Sequence, residues 1–110
     1  MLPIPPEKRQ MNEYIFLMHN DATDSEIAAD GERWATYMAL LRASGQFDGG
    51  SSIGSGERLR LDHASEPADG AVTGFMRVRA ESLIEAKRLL AGNPTYEAGG
   101  TVEIRELTRD

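Results

Sequence analysis

Two short signals divide this chain and leave few folds open to it. Thr23-Asp24-Ser25-Glu26 and Ser82-Leu83-Ile84-Glu85 both carry the spacing of a capping box. There a hydroxyl accepts from the third amide of a helix and a glutamate reaches back to the cap. Behind the first, Ile27, Trp34, Tyr37, Met38 and Leu41 share one helical face, with Gly31 as a point of interruption and Gly45 placed to end the helix. Behind the second, Leu83, Ala86, Leu89 and Leu90 form the apolar stripe, and Gly92 followed by Pro94 stops it.

Strands fill the intervals. Residues 13–19 are β-branched, aromatic and aliphatic, as a buried central strand requires. Residues 58–62, 74–80 and 101–107 alternate apolar with polar side chains, the pattern of half-buried strands. Gly49, Gly50, Gly54 and Gly56 surround Phe47 and Ile53, which suggests a short, glycine-weakened strand near 47–53. Residues 63–73 read as a loop. The order is β-α-β-β-β-α-β, or β-α-β-β-α-β without the glycine-rich piece. The second is the ferredoxin-like pattern, an α+β fold with an antiparallel sheet and two helices on one face.

The alternation assigns Leu59, Leu61, Met76, Val78, Val102 and Ile104 to the helix side of that sheet. It assigns Arg60, Phe75, Arg77, Arg79, Glu103 and Arg105 to the other. No predicted helix is left to cover the second face, so the pattern predicts a homodimer with two such faces opposed.

The 110 residues suit a single domain, taken as residues 13–110, behind a Pro-rich arm at residues 1–12. Three prolines in the first six residues give that arm no periodic apolar face. The absence of cysteine excludes disulfides, thiolate nucleophiles and Cys-ligated metals. A net charge of −6 argues against nucleic acid as a partner. No apolar run is long enough for a membrane span or a signal peptide, which makes the cytoplasm the default expectation.

The stretch from Gly74 to Leu107 carries a more specific pattern. A Gly-Phe strand is followed by Ala80-Glu81-Ser82-Leu83-Ile84-Glu85-Ala86, then Asn93-Pro94, then Glu97-Ala98-Gly99-Gly100-Thr101-Val102-Glu103-Ile104. Together with Leu17-Met18-His19-Asn20-Asp21 this resembles the YCII-related family of the dimeric α/β-barrel superfamily, whose fold is like that of muconolactone isomerase. The resemblance runs from about residue 13 to 107. It implies a ferredoxin-like dimer and a small-molecule site with lyase or isomerase chemistry. The Asp-Gly-Pro-Phe stretch of some relatives is absent here, where Asp69-Gly70 is followed by Ala71-Val72. Some members place a histidine on the first helix and an aspartate before the later proline. Those places hold Trp34 and Asn93 here, neither of which exchanges a proton near pH 7. The resemblance therefore carries the fold and the dimer, and leaves the reaction open.

By elimination, His19 with the nearby Asp21 is the candidate catalytic pair. Trp34, Tyr37, Arg60, Phe75, Arg77, Asn93 and Tyr96 are the candidate ligand-binding residues. The arginines suit a small anionic molecule in a cavity at or near the dimer interface. Each candidate also has a structural use: core for Trp34 and Tyr37, a helix cap for Asn93, ion pairs for the arginines. His19 and His63 with Asp21 or Asp62 are too few and too scattered for a metal site, and no cofactor is implied. The alternative function is a non-catalytic regulatory or protein-interaction module.

Overall fold

A computed structural model describes residues 11–108 of the chain. In order, its elements are β1 (Asn12–His19), α1 (Ser25–Ala28), α2 (Gly31–Ala43), β2 (Phe47–Ser52), β3 (Glu57–Arg58), β4 (Glu66–Pro67), β5 (Val72–Ala80), α3 (Leu83–Arg88), α4 (Pro94–Glu97) and β6 (Val102–Leu107). The fold is mixed α+β. Four strands form one sheet in the order β2-β5-β1-β6, with every pairing antiparallel. Strand β1 begins one residue before the predicted domain start. The Pro-rich segment at residues 1–10 lies outside the described residues.

The period of two sorts the sheet into faces. Tyr14, Phe16 and Met18 of β1 and Met76, Val78 and Ala80 of β5 are buried. They form one cluster with Tyr37 and Leu41 of α2, Ala86 of α3, and Leu90, while Val102 and Ile104 pack against its edge. The predicted core positions on β5 and β6 are therefore occupied as expected. On the opposite face the register sets Leu17 between Phe75 and Glu103, Ile15 between Arg77 and Arg105, and Glu13 between Arg79 and Leu107.

The first helix divides differently from the prediction, because two aspartates outcompete the threonine. Asp24 Oδ1 accepts from the amides of Glu26 and Ile27, both at 3.1 Å. Asp30 Oδ1 accepts from Glu32 and Arg33 at 2.9 and 3.2 Å. Each carboxylate caps its own helix. The Thr23 hydroxyl instead donates to the Ala98 carbonyl at 3.0 Å. Because α2 anchors the core through Tyr37 and Leu41, Asp30→Ala is expected to cost about 1 kcal/mol in urea unfolding. Unchanged stability would show that the second cap is redundant.

The second box forms one residue out of step. Ser82 accepts from the Glu85 amide at 3.1 Å, and the Glu85 carboxylate accepts from the Glu81 amide at 2.7 Å. Helix α3 ends after six residues, and Leu83 in its first turn is 45% exposed rather than in the core. The glycine-rich strand does form. Gly49 takes a φ of +104°, and the register shifts between Phe47 and Gly50, as a bulge demands. A Cβ on Gly50 would run into the Phe75 carbonyl oxygen, so this close approach needs glycine.

The predicted half-buried strand at 58–62 is the largest departure. Residues 57 and 58 pair instead with 67 and 66 in a separate two-stranded hairpin. Leu59 and Leu61 fall beyond β3, outside any strand, and are 78% and 89% exposed. Alternation over a few residues does not by itself show that a partner strand or a core is there to receive it. Arg60 consequently leaves the sheet face to which the pattern assigned it.

Candidate functional site

A half-enclosed cavity of about 570 Å³ opens where β1, β2 and β5 meet the segment joining α1 to α2. Its volume lies within the range of small-molecule sites. The wall is mostly apolar, with Met18, Met38, Met76 and Trp34. Small residues make the room: Ala22, Ala28 and Ala29 on one side, Gly50 and Gly74 on the other. Adding a Cβ at Gly74 would bring it within 3.2 Å of the Met18 methyl. Polarity comes from the Ser25, Ser51, Ser52, Thr73 and Thr95 hydroxyls, Asn20 and His19. The indole N–H of Trp34 donates to the Ala28 carbonyl at 2.7 Å, which fixes the ring against the α1–α2 junction. Its edge-on contact with Tyr37, centroids 6.2 Å apart, holds it from behind.

Of the candidate residues, His19, Trp34 and Phe75 border this cavity and the others do not. Tyr37 is buried; its hydroxyl donates to the Leu89 carbonyl at 2.8 Å. Burial raises its pKa, and the Asn93 amide beside it partly offsets that rise. Asn93 is fully buried and caps α4, its Oδ1 accepting from the Tyr96 amide at 3.1 Å. Tyr96 is more than half exposed. Arg60 lies on the hairpin beside Leu59 and His63. Arg77 faces Glu13 at 3.7 Å, Arg105 faces Glu103 at 3.7 Å, and Arg79 reaches both oxygens of Asp48 at 3.1 and 2.9 Å. The sheet arginines thus sit in acid–base pairs on the face away from the helices.

Asp21 is occupied elsewhere. Its two oxygens accept from the Thr101 amide at 2.7 Å and the Thr101 hydroxyl at 2.6 Å. This ties the end of β1 to the start of β6. The hydroxyl bond, followed by the amide bond, holds the Asp21 pKa below the ordinary carboxylate value. A depressed carboxylate stabilises the fold above its unfolded-state pKa, and that contribution disappears as pH falls through the folded-state value. The melting-temperature gap between the native chain and Asp21→Asn is therefore expected to be open at pH 7 and to close under acid conditions. A gap that does not change with pH would remove the charge from this clamp.

The carboxylate that does approach His19 is Glu103. Nε2 of His19 lies 3.4 Å from Glu103 Oε1, although the two are not aligned as a hydrogen bond. The sequence held a signal for this pair. His19 and Leu17 share a face, and the register sets Glu103 directly opposite Leu17. Among the described residues no group of three or more His, Asp or Glu side chains could hold a metal ion, and no helix is long and apolar enough to cross a membrane. No protein-family model matches the chain, and a search of curated proteins finds no relative.

Proposed function

We propose that this chain binds a small molecule, with an apolar body and a polar or anionic end, in the cavity beside His19. The observation that carries the reading is the wall itself. Three methionines and a tryptophan surround a space of about 570 Å³, and a limited set of hydroxyl-bearing residues supplies direction. A screen of fragment-sized acids, phenols and amides by amide chemical shifts is expected to cluster its hits at Ser51, Thr73 and Gly74. Hits scattered over the surface, or none, would defeat the reading.

We propose further that the domain is a ferredoxin-like half of a dimeric α/β barrel, as in the YCII-related family. The strand order and the helix positions support this. So does the face away from the helices, where Ile15, Leu17 and Phe75 lie among ion-paired charges. An opposed second copy would cover those residues. Light scattering at micromolar concentration is expected to give twice the chain mass of 12.1 kDa. A monomer would defeat the dimer without touching the cavity. Binding without chemistry is the second reading, favoured by the commitment of Asp21 to Thr101 rather than to His19.

A further inference from the structure

We infer that the cavity selects an uncharged molecule, an apolar body bearing a carbonyl or amide group, and that the Thr95 hydroxyl binds its polar end. This rests on the reading that the cavity binds small molecules, and names the chemical class it takes.

Charge is what the wall lacks. Among the described residues that line it, none is Asp, Glu, Lys or Arg. Charged neighbours along the chain are engaged elsewhere. Asp21 gives both oxygens to Thr101, and Asp24 and Asp30 cap their helices. Arg33 lies 3.6 Å from Asp30, and Arg77 lies 3.7 Å from Glu13 on the face away from the helices. His19 borders the cavity, but its Nε2 approaches Glu103 Oε1 at 3.4 Å on that same far face. An ion entering this space would give up water without meeting a counter-charge, which is costly. A neutral molecule gives up far less, and the thioethers of Met18, Met38 and Met76 adapt to an apolar body of either aromatic or aliphatic shape.

Most polar groups at the wall are spent or wet. The Trp34 indole N–H donates to the Ala28 carbonyl at 2.7 Å, so the ring offers the cavity no donor. The Asn20 amide donates to the Gly70 carbonyl at 2.9 Å, and the Ser51 hydroxyl to the Ser52 carbonyl at 2.9 Å. Ser25, Ser52 and Thr73 are exposed residues, whose hydroxyls water can serve.

Thr95 differs. It is only 7% exposed, yet among the described residues its hydroxyl has no hydrogen-bond partner and is not sealed in. Its methyl is turned toward Gly100, which is not part of the wall: a Cβ on that glycine would come within 2.8 Å of Thr95 Cγ2. The hydroxyl is therefore the group that Thr95 presents to the cavity. A hydroxyl placed so deep without a partner is costly unless something completes it. Because it both donates and accepts, it can serve a carbonyl oxygen or an amide N–H.

Three probes of nearly one shape test this separately from the cavity reading. At neutral pH benzamide is uncharged, benzoate is an anion and benzamidinium is a cation. Benzamide is expected to shift the amide signals of Gly74 and Thr95, and the two ions to bind at least about tenfold more weakly. Thr95→Val keeps the side-chain shape and removes the hydroxyl. Since that hydroxyl bonds to nothing in the protein, the variant is expected to melt no lower than the wild type. It is also expected to bind benzamide about tenfold more weakly. Either ion binding there as tightly as benzamide would overturn the neutral class and leave the cavity reading standing. Unchanged benzamide affinity in Thr95→Val, or a lowered melting temperature, would overturn the role of Thr95. If none of the three probes moves those amides, the ligand class falls; the cavity reading falls with it only when the wider fragment screen is also blank there.

Discussion

Phe16→Ala is expected to be the most damaging single truncation in the chain, at about 3–5 kcal/mol in urea unfolding. Phe16 is fully buried in β1, an inner strand, with Met76 opposite it on one side and Ile104 on the other. A cavity there is enclosed by backbone that two ladders hold in register, so the walls have little freedom to collapse. Phe16→Leu keeps most of the volume and is expected to cost less than half as much. A loss under about 1 kcal/mol for the alanine variant would mean that the sheet rests on other contacts.

Leu90→Ala is expected to cost about 2–5 kcal/mol, while Leu83→Ala costs well under 1 kcal/mol. Both leucines sit on the stripe that the second helix shows in the sequence. Leu90 is 6% exposed and belongs to the main cluster; Leu83 is 45% exposed. The difference comes from position: Leu83 opens α3 in an exposed first turn, whereas Leu90 lies beyond the helix end. The helix stops at Arg88, after which a turn carries Leu89 and Leu90 inward. Equal losses for the two variants would contradict that geometry.

The same contrast explains how much was legible. β1, β5 and β6 were readable because burial on one face leaves an alternating or continuous apolar record, and Met76, Val78, Val102 and Ile104 kept it faithfully. The helix starts were readable because caps are local chemistry. Choosing Asp24 and Asp30 over Thr23 was not, since it depends on Thr23 being drawn away by Ala98 from far along the chain. His19, Trp34 and Phe75, which border the cavity, stood out in the sequence because each ends or borders an apolar element. Pairing His19 with Asp21 followed proximity along the chain. In space, Thr101 takes Asp21 and Glu103 approaches His19, and both of those residues arrive with β6. The arginines were legible as a group on one face, but not as members of separate acid–base pairs.

The hairpin of β3 and β4 has a consequence of a different kind. Two residues on each side pair only with one another, outside the four-stranded sheet. Every residue from 57 to 70 is exposed. A segment attached in this way can melt and re-form while the sheet keeps its cooperativity, so it is a local folding unit with its own, smaller, opening free energy. Sequence change there is consequently cheap. Lengthening, shortening or replacing this ribbon alters the outline of the molecule beyond Ser52 and Thr73 without drawing on the stability of the domain, which makes it the part of the chain freest to diverge.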